Sequence, residues 1–192
     1  MVRKYNRENR LKQAEQTRQN IILAAEKLLG TKPLADVSMQ AIAEEAKTTV
    51  QTFIRHFGSR EGCLNAVVEK VLFRVEQERA VPPSGSVEDC AEVLLSHYEK
   101  ENRLVLNLLA QEHNGSRFIG EALQIGREFH RKWLKECFRG RYPEGIDEEI
   151  LDELVLATDI YAWKLLRLDM DRSRRQTKQV MISLIKKILE VA

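Results

Sequence analysis

Hydrophobic residues recur at helical spacing along most of this chain. Ile21, Ala25 and Leu28 are three and four residues apart, as in helices that bury one face against a core. The stretch VPPSGS at residues 81–86 breaks the pattern, because two prolines and a glycine cannot continue a helix. Nothing reads as a strand-period run, so we predict an all-α chain. The expected helices span residues 17–29, 39–46, 50–57, 60–79, 87–100, 103–111, 117–139, 147–169 and 173–191.

Residues 37–60, VSMQAIAEEAKTTVQTFIRHFGSR, predict two short helices joined by a tight turn. Ser38 and Thr49 are expected N-caps, because a hydroxyl oxygen can accept an amide hydrogen from the first helical turn. Phe53 and Phe57 are four residues apart and give the second helix an inward face. This arrangement is typical of a helix-turn-helix.

The other face of the second helix carries uncharged hydrogen-bonding groups and one cation, which favours a recognition helix. Amides, hydroxyls and Arg read base edges in the major groove, whereas Arg, Lys and hydroxyls also hold phosphates. A small helical hairpin with a solvated face is the alternative. We expect Thr49, Val50, Gln51, Thr52 and Arg55 to lie at or near bases. We expect Ser38, Lys47, Thr48, His56 and Arg60 to lie nearer phosphates.

Residues 17–68 resemble the N-terminal domain of TetR-family transcriptional regulators. TRQNIILAAEKLLG resembles the first helix, VSMQAIAEEA the second, and TFIRHFGSREGCLNAV the third running into the fourth. Lys47 stands where the family usually has a turn glycine, Thr48 replaces a Val-like residue, and Ile54 replaces a common Tyr. The resemblance implies a helix-turn-helix domain followed by a helical domain that dimerises and binds a ligand.

Composition and charge agree with a DNA-binding protein. The chain has 192 residues, of which 43% are hydrophobic and 31% charged, as in an ordinary globular protein. Residues 1–60 hold 11 basic and 6 acidic side chains, and the rest hold 20 and 23. The basic part is therefore the one with the helix-turn-helix, as an electrostatic DNA footprint requires.

Other function classes find little support in the residues. The chain has no long apolar run and no secretion signal, so we expect no membrane insertion and a cytoplasmic location. Cys63, Cys90 and Cys137 are widely spaced, which predicts buried thiols without a disulfide or metal site. GxSxG, P-loop, GxGxxG and HExxH motifs are missing. We expect no enzyme activity and no cofactor, and we expect His97 and His130 to face solvent.

Three domains are predicted: a basic arm at residues 1–16, a helix-turn-helix domain at residues 17–62, and a helical regulatory and dimerisation domain at residues 63–192. The arm carries Arg3, Lys4, Arg7, Arg10 and Lys12. It is either a solvated tail or an extension that lies along DNA.

The last two predicted helices are apolar on more than one side, so they need cover from several directions. Pairing with a second copy as a four-helix bundle supplies it, and ordinary intramolecular core is the alternative. The candidate dimer residues are Leu154, Ile160, Tyr161, Leu165, Met181, Leu184 and Ile188.

The resemblance also implies a ligand pocket among residues 87–139, which contain an aromatic seam. The candidate lining residues are His97, Tyr98, His113, Phe118, Phe129 and Trp133. Such a seam is otherwise packed core. Our interpretation is a homodimeric DNA-binding regulator, a repressor that a small apolar or amphipathic effector releases from a double-stranded operator. The alternative is a TetR-like interaction protein with weakened or no DNA binding, which Lys47, Thr48 and Ile54 motivate.

Overall fold

We describe the protein from a computed structural model. It describes the backbone of residues 2–79, 85–113 and 116–191, and the side chains of residues 8–79, 85–113 and 116–190. Within these ranges the regular secondary structure is entirely helical, which confirms the all-α prediction. The helices are α1 (Val2–Leu29), α2 (Met39–Glu45), α3 (Val50–Phe57), α4 (Arg60–Glu78), α5 (Val87–Leu109), α6 (Arg117–Cys137), α7 (Glu148–Thr158), α8 (Ile160–Lys164) and α9 (Arg174–Val191).

Two predicted divisions between helices are wrong: one helix was predicted as two, and two helices were predicted as one. The two helices expected at residues 87–100 and 103–111 form the single helix α5, because the polar residues between them interrupt the hydrophobic stripe without breaking the helix. The single helix expected at residues 147–169 is broken at Asp159, whose backbone is extended. The Asp159 carboxylate accepts the Tyr161 amide at 2.8 Å and so caps α8, which continues into a π-helical turn at Leu165–Asp169.

Parts of three predictions concern residues outside the described ranges. They are residues 81–84 of the VPPSGS stretch, residues 114–115 after the helix expected at residues 103–111, and the side chains of residues 1–7 in the basic arm. The backbone of the arm belongs to α1 from Val2 onward. Arg10 and Lys12, its described basic side chains, are exposed.

The chain divides into two compact units. The first comprises residues 1–72 and 103–123, and the second comprises residues 73–102 and 124–192. Three helices, α4, α5 and α6, have one part in each unit. Both units therefore share continuous helices.

The first unit encloses a core built mainly on α1. Its largest buried side chains include Ile21, Leu29, Ile42, Phe53 and Leu64. The end of α5 and the start of α6 add Leu104, Leu108, Ile119 and Leu123 to this core. Side-chain amides tie the same corner to the connection after α1. The Asn107 amide donates to the carbonyls of Leu29 and Lys32, and the Leu34 amide donates to Gln111.

The second unit packs α7 against α9 over buried Leu151, Leu154, Met181 and Ile185. Trp163 and Phe138 are its largest side chains among those less than 2% exposed. The Ile125 side chain of α6 is 43% exposed although it is apolar. The thiols of Cys63, Cys90 and Cys137 are buried and free, as predicted.

Candidate nucleic-acid interface

Helix α2 begins where its sequence predicts. The Ser38 hydroxyl accepts the Ala41 amide at 3.1 Å while the Ser38 backbone is extended, as in an N-cap. Val37 before the cap and Ile42 within the helix are fully buried, consistent with a hydrophobic staple. These contacts fix the direction in which the chain enters the helix-turn-helix.

The turn after α2 is a Schellman motif centred on a lysine. The Lys47 amide donates to Glu44 O at 3.0 Å, and the Thr48 amide donates to Ala43 O at 2.9 Å, the two bonds that define this motif. Lys47 has φ of +53°, a conformation in which glycine is usual. The turn therefore keeps its left-handed residue although no glycine is present.

Helix α3 is capped by a threonine and anchored by an aromatic pair. The Thr49 hydroxyl accepts the Thr52 amide at 3.1 Å. Phe53 is fully buried, and its ring centroid lies 5.6 Å from that of Phe57. The Arg18 guanidinium of α1 lies 5.2 Å from the Phe57 ring centroid. Opposite faces of α3 are therefore committed to core and surface.

The outward side of α3 presents three of the side chains predicted to lie near bases: Gln51 and Arg55 are exposed, and Thr52 is half-buried. Of their neighbours, Ile54 is exposed, and His56, predicted near a phosphate, is half-buried. The Ile54 side chain is 46% exposed, although it is apolar and stands among polar neighbours. Of the other predicted DNA-binding residues, Ser38, Lys47 and Thr49 are exposed, and Thr48 and Val50 are half-buried.

Arg60 was predicted to lie near a phosphate, but its guanidinium forms hydrogen bonds within the domain. Its Nε donates to Val37 O at 2.7 Å, and its Nη2 donates to Leu34 O. The start of α4 is thereby tied to the segment that leads into α2. Its role in the described structure is to hold the helix-turn-helix together.

Gly62 allows the end of α3 to approach α4. A Cβ atom at this position would lie 2.4 Å from Phe57 O, far inside any normal contact. The Gly62 amide donates to the Ser59 hydroxyl at 3.0 Å, so Ser59 caps the start of α4. The sequence pattern did not single out this close approach.

Comparisons with known proteins identify the domain. Residues 21–67 match the family model of bacterial regulatory proteins of the tetR family. The chain carries a TetR-family N-terminal domain. A search of curated proteins finds no match.

Solved TetR structures share the fold over nearly the whole chain. A TetR-like transcriptional regulator from Rhodococcus sp. RHA1 is 18% identical with a TM-score of 0.66, over 92% of this chain and 97% of its own. A TetR transcription regulator from Haloarcula marismortui is 16% identical with a TM-score of 0.69, over 92% and 98%. The multidrug binding protein EbrR, solved with imidazole, is 19% identical with a TM-score of 0.62, over 88% and 90%. The chain therefore has the TetR fold.

The six residues predicted to line a ligand pocket fall in both units of this TetR fold. His113 is exposed and Phe118 packs on the core of the first unit. His97, Tyr98, Phe129 and Trp133 belong to the second unit, where all but the half-buried Phe129 are buried.

A buried arginine, which sequence reasoning missed, lies among these aromatic residues. Arg79 is 4% exposed. Its guanidinium carbon lies 4.2 Å from the Trp133 ring centroid and 5.0 Å from that of Phe129. Trp133 Nε1 donates to Arg79 O at 3.0 Å. Burial lowers the pKa of Arg79. Nothing in the local pattern distinguishes it from the exposed arginines of the chain.

A chain of buried hydrogen bonds continues from Arg79. An arginine can only donate, so His130 Nδ1 accepts from Arg79 Nη2 at 2.9 Å. His130 therefore carries its proton on Nε2, which lies 2.9 Å from the Thr158 hydroxyl. That hydroxyl donates to Leu154 O at 2.6 Å. Tyr98 donates to Thr158 O at 2.7 Å, a carbonyl left free at the end of α7.

The prediction that His97 and His130 face solvent is wrong. They are 8% and 7% exposed, respectively. The carboxylates next to them in sequence lie on other sides of their helices, so those carboxylates do not show which way the histidines face. Burial, followed by the charge of Arg79, lowers the pKa of His97 to about 4. The same causes lower the pKa of His130. Both rings are neutral at pH 7.

The residues predicted to form a dimer face divide into two groups. Leu154, Ile160 and Met181 are buried within the chain. The other four lie at the surface: Tyr161, Leu165 and Leu184 are exposed, and Ile188 is half-buried. Leu156, which was not predicted, is 75% exposed.

Other kinds of site find no support in the residues that the structure describes. These residues contain no cluster of three or more side chains suited to a metal ion. In the same part of the chain, none of the helices combines the length and the hydrophobicity that a bilayer crossing requires.

Proposed function

We propose that this chain is a dimeric transcriptional regulator that binds a double-stranded DNA operator through α3 and acts as a repressor released by a small molecule. The observation that carries the proposal is the exposed polar face of α3 within the TetR-family match. Residues 17–62 would contact DNA, and residues 63–192 would dimerise and bind the effector.

Gln51 and Arg55 would read base edges. Both are exposed and, four residues apart, lie on one side of α3. A glutamine amide can bond an adenine in two places, and an arginine can do the same to a guanine. Phe53 supports the opposite side of the helix, so the reading face is held on a rigid element.

Lys47 and Thr48 would contact the phosphate backbone around this face. They lie in the turn before the cap of α3, and Lys47 is exposed. Ser38 and His56 would lie nearby. Because phosphate contacts carry no sequence information, these residues would set affinity and register.

The Gln51→Ala variant tests the reading role of α3. We expect its preference at one base-pair position to relax, with a loss of about 1–3 kcal/mol of binding free energy at the cognate site. Binding-site selection from a random DNA library measures this preference. Gln124→Ala, which removes an exposed glutamine of α6, is the matched control. A base-preference profile identical to that of the wild-type protein would remove Gln51 from this role.

A second copy would pair through the exposed apolar residues of α7–α9. Tyr161, Leu165 and Leu184 are 54%, 53% and 41% exposed, which is unusual for large apolar side chains in one region. A two-fold dimer would place two α3 helices about 34–36 Å apart, or a multiple of that, to match successive turns of DNA.

Leu184→Glu tests this interface, since a charge at its centre would be desolvated. We expect the variant to sediment as a monomer at concentrations at which the wild-type protein is a dimer. Ile125→Glu is matched in exposure, with 43% against 41%, and should remain dimeric. A dimeric Leu184→Glu protein, or a monomeric wild-type protein, would contradict the proposed assembly.

An effector would bind among the aromatic side chains of the second unit. His97, Tyr98, Phe129 and Trp133 combine apolar surface with a few polar groups, as ligand sites do. EbrR, whose structure is similar, is a multidrug binding protein, which supports a small-molecule effector here. Binding would change the affinity for DNA by a coupling free energy of about 1–3 kcal/mol.

A further inference from the structure

Arg79 places a positive charge in the interior of the second unit without a carboxylate beside it. The side chain is 4% exposed, and in the described part of the chain its guanidinium hydrogen-bonds only to the neutral ring of His130. Apart from burial, the groups that influence the pKa of Arg79 are Tyr98, Cys90 and Cys137, none of which is a carboxylate. Arg79 Nε is buried without any hydrogen-bond partner.

This arrangement is unfavourable for a protein that has nothing to bind there. Buried charges are normally paired, and a buried donor without an acceptor loses its hydration without replacement. The faces of Trp133 and Phe129 offset part of this loss through cation–π contacts. They leave the in-plane Nε–H without an acceptor.

A second donor near the same tyrosine also lacks an acceptor. Trp163 is 1% exposed, and its Nε1 has no hydrogen-bond partner. Its ring centroid lies 6.1 Å from that of Tyr98. His97, with its ring centroid 5.4 Å from that of Tyr98, has an unpartnered Nδ1 that lies 3.8 Å from the Glu78 carboxylate, too far for a hydrogen bond. Arg Nε and Trp Nε1 can only donate, so what each of them lacks is an acceptor.

We propose that Arg79 recognises the carboxylate of an organic monoanion whose apolar body packs against the surrounding aromatic rings. An ionised carboxylate is purely an acceptor and pairs with guanidinium more strongly than a neutral group does. A doubly charged phosphate would leave one negative charge without a partner, because His97 and His130 are neutral. This inference rests on the proposed function, in that the carboxylate would be the effector.

The position of Arg79 in the sequence connects such a ligand with the proposed reading head. Arg79 directly follows α4. The same helix begins at Arg60, whose guanidinium holds the carbonyls of Leu34 and Val37 before α2. A ligand that shifts Arg79 therefore acts on a helix whose first residue positions the helix-turn-helix.

Two pairs of probes test the recognition of charge. Octanoate and phenylacetate are compared with octanamide and phenylacetamide, which have the same shapes without the charge. Isothermal titration calorimetry on the full chain at pH 7 gives each dissociation constant. We expect at least one carboxylate to bind at least about tenfold more tightly than its amide. Equal affinities, or no binding of either carboxylate at millimolar concentration, would overturn the proposal.

Arg79→Met keeps an unbranched apolar stem and removes the charge. We expect it to lose the preference for carboxylate, and Arg139→Met, which removes an exposed arginine paired with Glu136, to retain it. We also expect unliganded Arg79→Met to melt no lower than the wild-type protein, because an unpaired buried charge is gone. A variant that keeps the carboxylate preference would refute the assignment, as would a much lower melting temperature with no preference in the wild-type protein. If Arg79→Met does not fold, Arg79→Gln and the wild-type comparison of acid with amide decide the question.

A gel-shift titration of the unliganded protein separates this inference from the proposed function. If the protein binds DNA but shows no preference for carboxylates, the proposed function stands and the Arg79 site is excluded. If it binds carboxylates through Arg79 but does not bind DNA, the Arg79 site stands and the proposed function is excluded.

Discussion

The left-handed lysine in the turn of the helix-turn-helix allows a prediction about both backbone strain and the charge of its side chain. Lys47 has φ of +53° and an exposed side chain. The left-handed conformation costs an L-residue about 1–2 kcal/mol, and glycine avoids this cost. We expect Lys47→Gly to be about 1 kcal/mol more stable than Lys47→Ala, which keeps the Cβ atom and the strain.

The comparison between glycine and alanine isolates the backbone, because both variants lack the lysine side chain. Removing an exposed side chain usually changes the free energy of unfolding by no more than about 0.5 kcal/mol, so Lys47→Ala should resemble the wild-type protein. Urea unfolding measures the difference. In thermal unfolding, about 1 kcal/mol corresponds to roughly 2–4 °C for a domain of this size. If Lys47→Gly were no more stable than Lys47→Ala, the turn would not carry the left-handed strain that its φ angle indicates.

The same variants separate stability from DNA binding. If Lys47 contacts a phosphate, Lys47→Gly and Lys47→Ala should both reduce the slope of log affinity against log salt by about one unit for each subunit bound. Lys47→Arg should keep the slope, since the charge remains. The glycine variant would then be the more stable protein and the weaker DNA binder. Equal slopes in all four proteins would exclude a phosphate contact at this position.

Two further predictions concern packing and pH. Gly62→Ala should destabilise the protein by about 1–3 kcal/mol, because its Cβ would lie 2.4 Å from Phe57 O. Gly126→Ala, where a Cβ meets nothing within 4 Å, should be neutral or stabilising in the same urea titration. Burial, followed by the charge of Arg79, lowers the pKa of His97 to about 4. His97 should therefore make the protein less stable as pH falls from about 6.5 to 4, since only the unfolded state takes up a proton there. The slope contributed by this residue is about 1.4 kcal/mol per pH unit. Unfolding free energies of His97→Gln that fall as steeply as those of the wild-type protein would contradict this.

The helix-turn-helix was predictable because its determinants are local. Ser38 and Thr49 cap the helices three residues before the amides they accept, and Phe53 faces inward because of helical spacing. The resemblance placed a turn glycine at the position of Lys47, and the structure shows that the lysine keeps a left-handed φ there. In each case the interacting groups lie within a few residues of one another, so helical geometry alone relates them.

The helix boundaries of the second unit were less predictable because their patterns are ambiguous. The polar residues between positions 100 and 103 look like a connection, yet α5 continues through them. Asp159 looks like one polar residue in an apolar helix, yet it caps α8. The break leaves Thr158 O free for Tyr98, sixty residues away, and no short window contains that partner.

Spacing and composition alone predict the helical class, the capped helix α3 and the basic character of the N-terminal part. Which polar residues are buried depends instead on how the helices pack together. Arg79 and His130 meet across fifty-one residues, and their burial depends on which faces of α5, α6 and α7 surround them. A hydrophobic pattern shows that a helix has a buried face. It does not show which distant side chain completes that face, because burial is a property of the packed helices together.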